Sequence, residues 1–308
     1  MQEVKFIAVE SDAGLRLDKC IAVNHPEVSR SYVQKLIESG GAWINGNTGR
    51  CKDFVKVGDE IKVLIPEPEG LEVEAEDIPL DIVYEDDDVI LVNKPKGLVV
   101  HPAAGHYTGT LVNGLLYHCK GSLSGINGIL RPGIVHRIDK DTTGIIIACK
   151  NDTAHRSLAE QFKEHTITRR YNALVYGTFK EAEGRIESYI CRNPEERMKM
   201  MVSEAKGKHA VTNYTVLEQF GNKYSHIVCQ LETGRTHQIR VHMSHIGHPL
   251  LGDTIYGQKK DPFQLTGQTL HAGVLGFVHP STGEYMEFSS DVPNYFTDLM
   301  NKFRNQFS

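Results

Sequence analysis

Arg131-Pro132-Gly133-Ile134-Val135-His136-Arg137-Ile138-Asp139-Lys140-Asp141-Thr142-Thr143-Gly144 is polar and charged through its middle and bounded by β-branched residues, with Ile145-Ile146-Ile147 following at once. Such a run reads as a loop presented by a sheet, with the next strand predicted over 145–149. Asp139 has cationic neighbours on both sides, Arg137 and Lys140, which favours the ionised form a carboxylate needs to act as a nucleophile. On composition alone, a purely structural Asp-Thr-Thr-Gly turn is the plainer reading.

Outward from this loop, strand-like runs occupy 89–93, 171–176, 210–217, 225–231 and 269–277, and helical periodicity occupies 111–119, 153–165, 237–246 and 294–303. They do not alternate as in a doubly wound fold, so the expected class is α+β with a mainly antiparallel, mixed sheet. Alternation places Tyr171, Ala173 and Val175 on one face, as a pocket wall. Gly121-Ser122-Leu123-Ser124-Gly125 is expected to be a flexible loop.

Residues 66–91 hold eleven acidic and no basic residues, and Pro66, Pro68, Gly70 and Pro79 break regular structure there. The reading is a small domain at 12–65, an acidic, solvated linker at 66–79 and a large domain at 80–308. Without 66–91 the net charge of −5 becomes +6, which permits a phosphate-backbone partner without demanding one. In the small domain, 16–23 reads as a helix and Ser29 as the N-cap of a second. Val33, Leu36 and Ile37 form the buried stripe of that second helix, leave Arg30 and Lys35 off it, and are followed by Gly40 as the stop. Trp43-Ile44-Asn45-Gly46 reads as a strand entering a hairpin turn, and 55–65 supplies closing strands.

The 40% hydrophobic and 24% charged fractions of these 308 residues are those of an ordinary globular protein, and no apolar run approaches the roughly 18 residues of a membrane span. The opening Met1-Gln2-Glu3-Val4-Lys5-Phe6 lacks signal-peptide character, so a cytoplasmic location is expected. Cysteines 20, 51, 119, 149, 191 and 229 contain no Cys-x-x-Cys pair and read as reduced. No phosphate-binding or dinucleotide loop occurs, and the nearest approach to a hydrolase nucleophile elbow has Leu123 where serine is required. His237, His242, His245 and His248 tempt a metal assignment. On a helix capped by Thr236 and ended by Gly247, however, Ile239, His242, Met243 and Ile246 share a face that excludes His237 and Arg240, so the imidazoles do not converge. Arg240 itself reads either as a partner for a carboxylate or as a solvated side chain.

These stretches resemble the RluA family of RNA pseudouridine synthases over 80–308. Arg137-Ile138-Asp139-Lys140-Asp141-Thr142-Thr143-Gly144 is similar to that family's active-site motif, with Ile138 where leucine and Thr143 where serine are common. Asn93-Lys94-Pro95-Lys96-Gly97 with Val100-His101-Pro102, Arg170-Tyr171 with Ala173, Val175 and Gly177, and Gly234-Arg235-Thr236-His237-Gln238-Ile239-Arg240 match its other motifs in order. Residues 12–65 resemble the ribosomal-protein-S4-type RNA-binding domain through Leu15-Arg16-Leu17-Asp18-Lys19, Ser29-Arg30-Ser31, Lys35-Leu36-Ile37, Ile44-Asn45-Gly46 and Val57-Gly58-Asp59-Glu60.

The resemblance implies a pseudouridine synthase fold in which Asp139 is the nucleophile, Arg240 pairs with it, Tyr171 contacts the base and assists proton transfer at C5, and Arg137 holds the target nucleotide out of its stack. It implies that Arg16, Arg30 and Lys35 grip structured RNA. The reaction neither changes redox state nor consumes water, so no cofactor and no metal is expected. The expected partner is RNA, with large-subunit ribosomal RNA first because the pairing of domains is most similar to the RluD-like branch, and transfer RNA as the alternative. No membrane partner is expected, and the chain is expected to be a monomer. Two other classes stay open: a catalytically silent RNA-binding protein that kept the grip, and a metallohydrolase built on the histidines.

Overall fold

The computed structural model describes residues 2–25, 30–65, 73–103, 106–126, 128, 131–196, 198–258 and 261–307. The chain divides into two compact units, Met1–Leu71 and Glu72–Ser308.

In the first unit the order is β1 (Gln2–Ile7), α1 (Leu17–Asn24), α2 (Arg30–Glu38), β2 (Ala42–Ile44), β3 (Asn47–Thr48) and β4 (Glu60–Ile65). The strands form an antiparallel sheet ordered β1-β4-β2-β3. Leu17, Cys20 and Ile21 of α1 and Val33, Leu36 and Ile37 of α2 bury against Ala42, Ile61 and Val63 of that sheet. Asn45 and Gly46, with φ of 49° and 80°, make the tight turn between β2 and β3 whose left-handed pair suits the strand twist. Gly40 ends α2 with φ of 81°, its N–H and that of Gly41 donating to the carbonyls of Ile37 and Leu36. The predicted cap Ser29 lies outside the described residues. β1 lies before the expected start of the domain at residue 12, and its short alternating run carries little burial to announce it.

Beneath the two helices, Asp18 is fully buried and accepts bonds from Arg16 Nε (3.1 Å), Arg30 Nε (3.0 Å) and Gln34 Nε2 (2.6 Å). Burial opposes its charge, but Gln34 and the two guanidinium groups outweigh that and hold its carboxyl below the usual range.

The second unit runs β5 (Ile82–Glu85), β6 (Val89–Lys94), α3 (Leu111–Cys119), β7 (Thr143–Cys149), α4 (Asp152–Lys163), β8 (Thr168–Tyr176), β9 (Glu183–Arg192), β10 (Met200–Ser203), β11 (Lys208–Phe220), β12 (Tyr224–Leu231), α5 (Gln238–His245), β13 (Leu270–Val278), β14 (Tyr285–Ser289) and α6 (Asn294–Phe307). Among the described residues ten strands form one sheet, ordered β10-β9-β11-β12-β8-β13-β7-β6-β5, with β14 also on β13. Only β7 and β13 pair in parallel, so the class is α+β with a mixed, mainly antiparallel sheet. On one face α3 and α5 cover Tyr171, Ala173 and Val175 of β8, as the alternation predicts. On the other face Ala154 and Leu158 of α4 cover β6, β7 and β13, while Phe296, Leu299, Met300 and Phe303 of α6 cover Leu174 and Tyr176 of β8. No helix among the described residues is long and apolar enough to cross a membrane.

Three expectations change here. Residues 73–80 are not a solvated linker: Val73 and Leu80 pack on the core, Asn113 of α3 donates to the Glu74 carbonyl, and Glu76 accepts from the Gly109 N–H. The loop at 121–125 is anchored by Ser124, which is buried, bonds Asp152 through its hydroxyl and donates its N–H to Cys149. Strands β5, β9, β10 and β14 were unforeseen because they are sparsely buried; in β9 only Ile186 and Ile190 are buried, four residues apart.

The parallel contact of β7 and β13 makes a glycine obligatory. Gly144 has φ of 108°, and a Cβ there would sit 2.3 Å from the Ala272 carbonyl oxygen and 2.6 Å from its nitrogen. Backbone cannot move aside as a side chain can, so Gly144→Ala should destabilise the protein by about 3 kcal/mol or more in denaturant unfolding. Gly283→Ala, at φ of 71° in a turn with nothing within 4 Å of the new methyl, should cost only about 1 kcal/mol. Equal losses would show that conformational strain, not the close sheet contact, sets the requirement.

Candidate active site

Asp139 lies in the loop that leads into β7, and a buried lysine clamps that loop from below. Lys94, at the end of β6, has no exposed surface and its Nζ donates to the carbonyls of Pro95 (2.8 Å), Leu98 (2.9 Å) and Lys140 (2.8 Å). The Gly97 N–H donates to the same Lys140 carbonyl, and Gln268 Nε2 donates to the Thr142 hydroxyl on the far side. Burial pushes the Lys94 ammonium down to about 8, against the pull of Asp141 and Asp139. It nonetheless satisfies three carbonyls that would otherwise be stranded in the interior.

One row of the sheet then sets Tyr171 beside this loop: Gly144 of β7 registers with Ala272 of β13, Ala272 with Tyr171 of β8, and Tyr171 with Cys229 of β12. Immediately past Ala272 the register of β13 slips by one residue, a bulge that turns the strand at the edge of the site. Burial raises the Tyr171 phenol above its ordinary value, Arg169 pulling the other way, so the hydroxyl keeps its proton at neutral pH.

Arg240 enters from the first turn of α5 and touches two carboxylates. Its Nη1 donates to Asp139 Oδ2 at 2.8 Å, while Nε and Nη2 donate to Asp253 Oδ2 (2.7 Å) and Oδ1 (2.9 Å) as a two-pronged pair. The side chains of Arg240 and Asp253 are 4% and 0% exposed, but that of Asp139 is 21% exposed, so the reachable end of the array is Asp139. Burial works against the charge of Asp253, but Arg240 and the N–H groups of Tyr256 and Ile255 prevail and hold its carboxyl below the usual range.

The start of α5 differs from expectation. His237, not Thr236, occupies the cap, in a left-handed conformation with φ of 56° and no side-chain cap bond. The turn before the helix is held instead by Gln238, whose Oε1 accepts from the Arg235 N–H and the Thr233 hydroxyl while its Nε2 donates to the Val211 carbonyl on β11. That arrangement lets His237 Nε2 approach Asp139 Oδ2 to 3.8 Å while Nδ1 meets the Tyr256 hydroxyl. Burial lowers the His237 imidazole, with Asp139 pulling upward, so at neutral pH the cation facing Asp139 is Arg240. The other histidines of this region are occupied separately: His242 with Ser188 and Thr212, and His248 with the Tyr176 carbonyl. Among the described residues the group with metal-ligand spacing is instead Asp86, Asp88 and His279, where His279 Nε2 meets Asp86 at 2.8 Å.

The resulting cleft is lined by Arg137, Asp139, Tyr171 and Arg240, with Ile138, Leu231, Ile239 and Leu270 as apolar walls. Thr142, Arg235, His237 and Gln238 complete the lining. Apolar and aromatic walls interleaved with donors around one carboxylate suit a flat, uncharged ring that carries hydrogen-bonding groups, presented to a nucleophile. Arg137 is exposed at its edge, with Nη1 3.4 Å from His101 Nε2. Arg16, Arg30 and Lys35 belong to the first unit; Lys35 is exposed, and Arg16 and Arg30 keep 45% and 48% of their side chains in water while bonding Asp18. Asp253 and the placement of His237 escaped the sequence reading. The one local sign was Gly252-Asp253 soon after a helix, where the carboxylate closes a turn on the N–H groups of Ile255 and Tyr256.

A family model described as RNA pseudouridylate synthase matches residues 88–245. YlyB of Bacillus subtilis (strain 168), described as an uncharacterized RNA pseudouridine synthase, is 49% identical over 304 residues, covering 99% of both chains. The ribosomal large subunit pseudouridine synthase D of Zymomonas mobilis is 46% identical over 298 residues, 92% of each. The solved structure of human RNA pseudouridylate synthase domain containing 1 superposes with a TM-score of 0.55 at 28% identity, over 77% of this chain and 97% of the human one. Because the similarity runs through almost the whole length and is not confined to the residues around Asp139, the chain belongs to the RNA pseudouridine synthases, isomerases that act on RNA.

Proposed function

We propose that Asp139 is the nucleophile that isomerises uridine to pseudouridine in large-subunit ribosomal RNA, with Arg240 as its counter-ion and Tyr171 against the base. The observation that carries this is the shared Oδ2: a buried guanidinium holds one carboxylate oxygen of Asp139 at 2.8 Å in a cleft where no other acidic side chain lies among the described residues. The other oxygen is then the reacting one. Isomerisation breaks the bond from N1 to C1′, rotates the uracil and joins C5 to C1′; C5 loses a proton and N1 gains one. Asp139 acts at C1′, on the 2′ hydrogen or at C6, and in each case a carboxylate whose charge is already balanced needs little reorganisation. Tyr171 presents its ring to the base and relays the C5 proton once the new carbon–carbon bond makes it acidic. Arg137, at the exposed rim, takes the place of the extruded nucleotide in the stack. Relatives named for the large ribosomal subunit support that substrate.

We further propose that the first unit is an S4-type RNA-binding domain, supported by its two helices on a small sheet and by its motifs. Its cations do not serve alike. Arg30 braces buried Asp18 as well as facing solvent, whereas Lys35 is exposed. Lys35→Ala should therefore weaken RNA binding and flatten its salt dependence at unchanged thermal stability, while Arg30→Ala also lowers stability by up to about 1 kcal/mol. Unchanged salt slopes in both variants would return these side chains to a merely solvated surface.

The direct test is tritium release from RNA labelled at uracil C5, on large-subunit ribosomal RNA and transfer RNA in parallel. Wild-type protein should release tritium from the ribosomal RNA; release from transfer RNA alone would reassign the substrate. Asp139→Asn should abolish release with RNA binding kept, and Tyr171→Phe should slow it by about a hundredfold. Comparable turnover by Asp139→Asn would refute the mechanism.

Arg240 has a second, structural signature. Removing it in Arg240→Met strands Asp253 in the interior, at a cost of about 3–5 kcal/mol. The acid response should also reverse. In wild type the lowered carboxyl of Asp253 stabilises fully above its unfolded value, near pH 4, and that contribution is lost as pH falls through the lower folded value. In Arg240→Met the unpaired buried carboxyl is raised, so stability should increase on acidification from neutrality. Parallel pH profiles for the two proteins would contradict the pairing.

A further inference from the structure

Beside the catalytic cleft lies a second cavity of about 250 Å³, which shares Arg137, Tyr171, Leu231 and Arg235 with it and is otherwise walled by His165, Arg169 and Phe162 among others. No acidic side chain lines it among the described residues. Arg169 is the anomaly. It is 6% exposed, nearly as buried as Arg240 at 4%, yet where Arg240 has two carboxylates Arg169 makes no ion pair among the described residues. Its Nη2 reaches the Glu232 carbonyl only at 3.4 Å, its Nε is buried without a partner, and the guanidinium carbon sits 5.6 Å above the Phe162 ring. A buried cation in this state is costly unless an anion joins it.

The surroundings keep the position open for one. Gly234 has no side chain where a Cβ would lie 2.4 Å from Arg169 Nη1, so any other residue would drive the guanidinium from its place. Arg235 spends its Nε on the His209 carbonyl, and Arg137 meets only the ring of His101 across 3.4 Å. His165 ends α4 with φ of 59°, the Thr166 N–H donating to the Gln161 carbonyl behind it, and this stop places its side chain on the cavity wall.

We propose that this cavity is a phosphate subsite, in which Arg169, Arg235 and His165 receive one of the two phosphodiesters flanking the target uridine. The proposal rests on the reading of the adjoining cleft as the uridine site, because that adjacency makes a backbone phosphate the anion that arrives with the substrate. Phosphate also suits planar guanidinium donors converging from several sides. Occupied, it would complete the pairing of Arg169 and fix the backbone next to the flipped nucleotide.

Two experiments on the full chain test it. In the first, inorganic phosphate is titrated into wild-type protein while imidazole resonances are followed by NMR. The His165 signals should move saturably, and should not move in Arg169→Met. No saturable shift would overturn the subsite, and an equal shift at surface His118 would mark an adventitious ion only, with the same consequence. This measurement needs no turnover, so it stands whether or not the protein releases tritium from any RNA; if Arg169→Met does not fold, the wild-type titration with Arg169→Lys decides. The second uses the RNA that supports tritium release, with a neutral methylphosphonate replacing each flanking phosphate in turn. At one position the replacement should weaken binding by about tenfold to a hundredfold, Arg169→Met should weaken it as much, and the two together no more than either alone. Losses that multiply at both positions, or full affinity in Arg169→Met, would overturn the assignment.

Discussion

The guanidinium of Arg240 is the point on which the catalytic unit is assembled. It joins a helix to a loop 13 residues on and to another 101 residues back, and the carboxylates of both loops need its charge. Burying ions is expensive, and an apolar replacement of a paired set is often no less stable. Stability alone is therefore a poor account of the array. Two carboxylates on one guanidinium leave a surplus negative charge, and because Asp253 and Arg240 are sealed from water the surplus is reachable only at Asp139. Fixing a single reactive oxygen at the one reachable carboxylate of the cleft is what the buried pair accomplishes.

The sheet supplies the precision this needs. Gly144, Ala272 and Tyr171 stand in one row on three adjacent strands, so the loop bearing Asp139 and the phenol are held by backbone pairing and not by side-chain packing alone. The parallel step between β7 and β13 is close enough that only glycine fits at 144, and the bulge after Ala272 re-aims β13 just beyond it. Lys94 performs the same service from beneath, tying the Lys140 carbonyl to the end of β6. Lys94 fixes the residue next to Asp139, Ala272 pairs with Tyr171, and Gly144 fixes the strand that the Asp139 loop enters, which is where a displacement of an ångström would be felt most.

Legibility followed burial. The strands at 89–93, 171–176, 225–231 and 269–277 were plain because their runs are buried, 89–93 and 269–277 on both faces and 225–231 on alternate residues, and they emerge at Val89–Lys94, Thr168–Tyr176, Tyr224–Leu231 and Leu270–Val278. Sparsely buried strands such as β9 and β14 offer few apolar residues to mark them. At the site, Asp139, Tyr171 and Arg240 were visible as types within motifs, and the structure brings them to one cleft. Asp253, the left-handed His237 and the clamp of Lys94 were not visible, since each depends on a contact across the fold that leaves no local pattern. The cap assigned to Thr236 failed for a related reason: Gln238, reaching across to β11, ties down the turn before the helix, and the left-handed His237 takes the cap position.

Charge shows the limit of counting most clearly. A formal −5 and an acidic run at 66–91 suggest a chain that repels RNA or merely tolerates it. Yet the acids of that run that lie in the second unit are largely engaged there: Glu85 with Lys150 and His118, Asp86 with His279, and Asp88 with Asn151 and Ser281. Around the cleft the balance is reversed, for Arg137, Arg169 and Arg235 have no carboxylate partner among the described residues. A polyanion meets the charges left unpaired, and those are concentrated where the chemistry is. Pairing, not composition, therefore decides where an acidic protein can hold RNA.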